Sequence, residues 1–431
     1  MTNQQLISDL FSFIDNSPSM FHTAESIAKT LEENDFTYLP NATSWDLNKG
    51  NKYYTSTNNS AIIAFEICST NIEQTGFRIV GTHTDVPGFR IKSNPQMQTE
   101  SYIKLNTEVY GGPILATWFD RPLSCAGRVA LKSDNILRPE RRLVNIEEPI
   151  MVIPSLAIHM NRNVNDGYKF NPQKETLPIL TYCDDTIKED MLLQIIADKL
   201  QVNKDDILDA DMFLYPTEKS CSIGVDKKFV SAPRLDDLSM TFGGLHALIT
   251  SEGKAGVNVL VCYDNEEVGS CSKQGANSPF LLHTLERITS LLNKTREEYL
   301  VSLRNSFIIS ADVAHLHHPN FPEKSDPTNK VLPGKGPAIK VNSNCKYTTD
   351  SDSFAVFANL CIQNGIPYQV FFNRSDQPGG STIGPITSSQ LGIRSVDIGT
   401  PLLAMHSARE LMAQDDFIHT CDAMRAFYNL D

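Results

Sequence analysis

Apolar residues recur at helical spacing from the start of the chain. Leu6, Ile7, Leu10, Phe11 and Ile14 share one face over residues 4–14, which predicts an amphipathic helix. A second helix follows Pro18-Ser19, with Ile27, Ala28 and Leu31 turned inward. Ala61–Ile67 reads as a strand and residues 77–80 as another. Near residue 94 the rhythm changes. From Ser101 to about Met160, short alternating runs such as Tyr102-Ile103-Lys104-Leu105 and Arg128-Val129-Ala130-Leu131 are broken by Gly, Pro and Asn, which predicts an antiparallel β-rich module. A helix at about 186–200 and a polar stretch lead back to Ser231. Beyond Pro233 the pattern predicts a helix over 238–248, strands at Val257–Tyr263 and Phe307–Ala311, a helix over 353–364, and strands over 367–372 and 394–398. Residues 259–262 lack polar alternation, which fits a sheet covered on both faces.

The simplest organisation is one α/β domain, residues 1–93 and 232–431, interrupted by a β-rich module over 94–231. A chain of 431 residues is long enough for about two or three domains and a sizeable core. Its formal charge of -13 repels phosphate backbones, which argues against a nucleic-acid partner. Nine cysteines at irregular spacing, with no C-x-x-C pair, argue for buried free thiols in a reducing, cytoplasmic setting. The opening MTNQQLISDLFSF has no basic leader region. No stretch approaches the roughly 18 apolar residues of a membrane span, so no membrane association is expected.

The residues capable of chemistry gather where predicted strands end. Residues 77–80 run into Gly81, His83 and Asp85. Val257–Tyr263 runs into Asp264, Glu266 and Glu267. Phe307–Ala311 runs into Asp312, and residues 394–398 precede His406. Ligands collect at the carboxyl ends of strands in open α/β sheets, so these distant segments can share one cleft. Singly, each has a plain alternative. His83 can be a loop histidine, Glu266-Glu267 a solvated turn, Asp312, Asp236 and Asp237 helix caps, and His406 a core histidine. Together, two imidazoles and several carboxylates suit a pair of divalent ions. One carboxylate must then bridge ions about 3.5–4 Å apart. Neighbouring residues of an extended backbone point opposite ways, so one member of Glu266-Glu267 can face a metal while the other handles protons.

The ordered stretches GTHTDVPGFRIK at 81–92, WFDRPLSCAGRV at 118–129, SLAIHMNR at 155–162 and SAPRLDDLS at 231–239 carry a family resemblance. YDNEEVGSCSKQGA at 263–276, SADVAHLHHPN at 310–320, GPAIKVNSN at 336–344, STIGPI at 381–386 and AMHSARE at 404–410 extend it. The chain resembles the aspartyl aminopeptidases, zinc enzymes with a co-catalytic dimetal centre. The resemblance implies a mixed-sheet α/β catalytic domain interrupted by a dimerisation domain. It implies His83 and Asp312 on one zinc, Glu267 and His406 on the other, and Asp236 shared. Asp85 is implied to orient His83, and Glu266 to be the general base. His159 is implied to enter a neighbouring subunit's site. Lys340, with Ser381 and Thr382, is implied to line the pocket for the substrate's first side chain. Peptides with acidic amino termini are the implied substrates, and a homo-oligomer, a tetrahedral dodecamer, the implied assembly. This ligand mix also accepts cobalt or manganese. Two departures stand out. Asp237 occupies a position where the family more often has asparagine, and residues 374–380 differ from the family's shorter Asn-Asp-x-Pro-x-Gly run. The competing readings are a broader-specificity aminopeptidase, a dimetal deacylase or dipeptidase, and a non-catalytic scaffold.

Overall fold

The computed structural model describes residues 2–48, 50–183 and 190–431. A nine-stranded mixed sheet forms its spine. In spatial order the strands are Phe36–Tyr38, Lys52–Thr57, Ala61–Ile67, Val257–Tyr263, Phe77–His83, Phe307–Ala311, Arg394–Gly399, Ala338–Val341 and Gln369–Phe372. The four strands Val257–Tyr263, Phe77–His83, Phe307–Ala311 and Arg394–Gly399 run parallel as neighbours. Strand pleating sends Ile62, Ala64, Val80, Leu260 and Cys262 into one core and Ile63, Phe65, Ile79, Val259 and Val261 into the other. The first core is closed by the helices Asn3–Asp15, Met20–Glu32, Leu235–Thr250, Ser351–Gln363 and Gln414–Tyr428. Phe280–Leu291 and Arg296–Arg304 close the second. Full burial of side chains such as Leu10, Ile27 and Leu245 contributes about 1.5–3 kcal/mol each. Covering both faces is what allows the uninterrupted apolar run at 257–263.

A six-stranded antiparallel sheet is built wholly from residues between the main-sheet strands Phe77–His83 and Val257–Tyr263. Its order is Glu140–Asn145, Leu123–Leu131, Ile207–Pro216, Gly88–Thr99, Tyr102–Tyr110 and Ile179–Tyr182. Phe89, Leu105, Val129 and Leu214 lie in a separate apolar cluster beneath it. The sequence pattern predicts a polar stretch before Ser231, whereas Ile207–Pro216 within it is an interior strand of this sheet. Its outward positions are acidic because Asp211 meets the guanidinium groups of Arg90 and Arg128, each at 2.8 Å. The helix expected over 186–200 is seen as Met191–Leu200, and residues 186–189 lie outside the described residues.

A third sheet joins Cys221–Ile223 and Phe229–Ala232 to Glu410–Ala413, Pro401–Leu403 and Ala314–His315. Ala232 pairs with Glu410 across it, which brings the start of helix Leu235–Thr250 beside the 404–410 loop. All nine cysteines are free. Cys125, Cys262, Cys361 and Cys421 are buried as expected, but Cys221, Cys271 and Cys345 are exposed. Among the described residues, no helix is long and apolar enough to cross a membrane.

Candidate metal centre

The parallel strands deliver the candidate residues to one end of the main sheet. Tyr263 lies opposite His83 in register, so the 264–268 turn starts beside the histidine. Asp312 directly follows the neighbouring strand. Asp236 and Asp237 open helix Leu235–Thr250 in non-helical backbone, which turns both side chains toward the strand ends instead of along the helix surface. His406 sits in left-handed backbone, φ 66°, after the short strand Pro401–Leu403.

Two compact groups of potential ligands share Asp236. His83, Asp236, Asp237 and Asp312 form one, and Asp236, Glu267 and His406 the other. Within each group the donor atoms lie within 4.8 Å of one another. His83 Nε2 is 3.5 Å from Asp236 Oδ1, and His406 Nε2 is 3.2 Å from Asp236 Oδ2 and 3.6 Å from Glu267 Oε2. Glu266 joins His83 and Glu267 in a third group.

The donor chemistry fits divalent zinc. His83 Nδ1 donates to the Asp85 carbonyl at 3.0 Å, and His406 Nδ1 donates to the Gly112 carbonyl at 3.0 Å. Each ring therefore turns Nε2 into the cluster with its tautomer fixed from behind. Oδ1 of Asp236 and Oδ1 of Asp237 are buried without a hydrogen-bond partner, a costly state unless a cation meets them. Burial pushes the Glu267 carboxyl well above its ordinary range, and Asp236 adds to the rise. Burial also dominates at Glu266, which is pushed up to about 8; His83 opposes the shift while Asp312, Asp85 and Asp236 reinforce it. Burial lowers the affinity of His83 for a proton, yet Asp237, Asp236 and Asp85 override it and hold the imidazole well above 6.5. A site that holds protons this tightly on closely packed carboxylates and imidazoles is one in which metal binding releases them.

Asp85 acts more on the glutamate turn than on His83. Its Oδ1 accepts the Glu266 amide at 3.0 Å and its Oδ2 the Glu267 amide at 3.1 Å, while its own distance to His83 Nδ1 is 3.4 Å. Tyr110, at the end of a strand of the six-stranded sheet, donates to Asp85 Oδ2 at 2.9 Å and accepts from Asn265 Nδ2 at 2.8 Å. The next residue, Gly111, has φ +67°, and a Cβ there would lie 3.1 Å from that of Glu267, so any other residue would be strained and tightly packed there.

Lys340 is buried inside the main sheet. It lies in an interior strand, 2% exposed, donating to the Val313 carbonyl at 3.1 Å and pairing with Asp312 at 3.4 Å. Thr382 caps helix Ile383–Leu391 and donates to Asp397 at 2.7 Å, and the exposed Ser381 donates to the Lys346 carbonyl at 3.2 Å. His159 is exposed in the 154–162 segment and joins none of the ligand groups found among the described residues. Sequence reasoning gave no role to Tyr110 or Glu410 and offered Asp237 only as a helix cap and a departure from the family. For Glu410 and Asp237 the signal was their place inside the quoted motifs; Tyr110 had none.

Comparison with known proteins finds relatives among zinc aminopeptidases. The family profile described as Aminopeptidase I zinc metalloprotease (M18) matches residues 13–428. The probable M18 family aminopeptidase 2 of Clostridium novyi (strain NT) is 54% identical over 424 residues, covering 98% of each chain. Among solved structures, a chain of the cryo-EM structure of the Ape4 and Nbr1 complex has a TM-score of 0.94 at 34% identity, covering 99% of this chain and 86% of that one. The S. cerevisiae mApe1 dodecamer has a TM-score of 0.84 at 28% identity, covering 98% of this chain and 95% of that one. The chain belongs to the M18 family of zinc metalloproteases. It is a zinc metalloaminopeptidase, a hydrolase of peptide bonds.

Proposed function

We propose that the enzyme removes single amino-terminal residues, preferentially acidic ones, from peptides at a two-zinc centre. The observation that carries the reading is the pair of ligand groups sharing Asp236 at the carboxyl ends of the parallel strands. His83 and Asp312 would hold one ion and Glu267 and His406 the other, with Asp236 the residue common to both groups and Asp237 in the first. When bound, the metals acidify water and polarise the scissile carbonyl. Glu266 takes the proton of the attacking water and returns it to the leaving amine. Asp85 fixes Glu266 and Glu267 together through their amides, so base and ligand move as one unit.

The acidic preference draws support from a cavity of about 530 Å³ beside the 404–410 loop. His315, His317, His318, Lys324 and Arg374 line it together with Ala404. Arg374 is held by a two-point pair with Asp376 at 2.7 and 2.8 Å, so the divergent 374–380 loop shapes this wall. Lys340 sets the field from behind Asp312, and Ser381 and Thr382 brace the neighbouring helix start. Solvent and salt screen contacts inside a cleft less than they screen the net charge of -13.

On this proposal, residues 94–231 form an inserted dimerisation module, with the six-stranded sheet beginning slightly earlier, at Gly88. The chain assembles as a homo-oligomer, a tetrahedral dodecamer, in which His159 enters the partner's site. Exposed Leu156, Ile158 and Met160 around His159, at 54%, 46% and 71% exposure, support a covered surface there. Nine free cysteines support a cytoplasmic setting.

Comparing kcat/KM for aspartyl, leucyl and lysyl substrates on zinc-loaded enzyme tests the preference. The aspartyl substrate should lead by about tenfold, or 1.4 kcal/mol. A leucyl or lysyl lead of that size overturns acidic selectivity and leaves the aminopeptidase reading standing.

A further inference from the structure

We infer that Glu410 is a positioning residue that clamps the backbones of Asp236 and His406 into one metal-binding geometry. This rests on the proposed assignment of those two residues as ligands. Glu410 is 2% exposed. Its Oε2 accepts the Asp236 amide at 3.1 Å and its Oε1 accepts the His406 amide at 2.8 Å. The two ligand side chains meet on the other side of this bridge, with His406 Nε2 3.2 Å from Asp236 Oδ2.

The clamp acts where regular structure does not. Asp236 is non-helical at φ -83° and ψ 108°, and His406 is left-handed at φ 66°, so neither amide is committed to a helix or strand ladder. Two orphan donors in buried, irregular backbone need acceptors. One carboxyl group supplies both, an oxygen to each amide. The strand pairing of Ala232 with Glu410 fixes the distance from which the carboxylate reaches both targets. With both oxygens engaged by amides, Glu410 serves as the frame for two ligands and not as a ligand itself.

Glutamine keeps the shape of this side chain but has one acceptor oxygen, and its amide would confront the second N–H. Aspartate keeps the charge but is too short to span both amides. The full-length Glu410→Gln and Glu410→Asp proteins, stripped of metal, are titrated with cobalt(II) while the visible absorption is followed. The clamp predicts that both variants bind cobalt about tenfold or more weakly. It also predicts an altered absorption band, in metal-free protein that still folds and melts cooperatively. Cobalt affinity and spectrum like those of the wild type in Glu410→Gln overturn the inference. If that variant does not fold, Glu410→Asp is read by the same criteria. If neither folds without metal, Glu410 is a brace of the fold and the positioning role is overturned. His406→Ala serves as the control. Should it keep wild-type cobalt binding, the ligand assignment has failed and not the clamp alone.

Discussion

The phenol of Tyr110 donates to Oδ2 of Asp85 at 2.9 Å, and through that contact the six-stranded sheet reaches the turn that carries Glu266 and Glu267. Burial, reinforced by Asp85 and Asp264, raises the proton affinity of the phenol far above the ordinary tyrosine range, so it remains a donor throughout the working pH range. Tyr110→Phe should leave the fold and metal content intact. Hydrogen bonds to charged groups contribute about 1.5–3 kcal/mol, and Asp85 keeps its two amide donors. A fall in kcat of about tenfold is therefore expected. Unchanged kcat in a metal-replete variant would show that Asp85 holds the turn without this link.

Asp236 is the residue common to both ligand groups. Asp236→Ala should therefore lose more metal than single alanine substitutions at His83, Glu267, Asp312 or His406. Elemental analysis of the five purified variants checks the ranking. Retention of both metals by Asp236→Ala would move the bridging role to another carboxylate.

The strand ends carrying His83, Glu267, Asp312 and His406 were legible in the sequence because an apolar run followed by a cluster of polar ligands is a local pattern. The cores of the main sheet were legible for the same reason, as at 257–263. Strand Ile207–Pro216 was not, because its outward Asp211 pairs with Arg90 and Arg128 from distant strands. The contacts of Tyr110 with Asp85 and of Gly112 with His406 join segments far apart in sequence, and no local pattern encodes them. Lys340 shows the same limit in another form. Its place in a family motif was readable, but its burial against Asp312 depends on a sheet order that the sequence does not display.

His22 provides a pH-dependent element remote from the metals. Burial holds its pKa down to about 4 from 6.5, with Glu147 pulling weakly the other way, and its Nδ1 lies 2.8 Å from Ser19 Oγ. Between those two values the unfolded chain binds a proton that the folded chain refuses. The stabilising contribution is thus complete above 6.5 and lost as pH falls toward 4. At most it amounts to about 3 kcal/mol. Urea midpoints of metal-free protein across this window should fall more steeply for wild type than for His22→Gln. Parallel slopes would mean that His22 titrates alike in both states.

His159 should act across a subunit boundary, donating to the oxyanion that forms in the partner's site. Inactive His159→Ala and inactive Glu266→Gln subunits, dissociated and reassembled together, should then regain part of the wild-type activity. Mixed oligomers verified by mass that remain inactive would confine His159 to its own subunit.

The account depends most on Glu266 being the base and not a ligand, and Glu266→Gln measures this directly. The variant should keep the wild-type zinc content by elemental analysis and the wild-type fold, while kcat falls by about two orders of magnitude or more. Near-normal turnover in the zinc-replete variant would contradict the assignment, and loss of zinc would place Glu266 among the ligands.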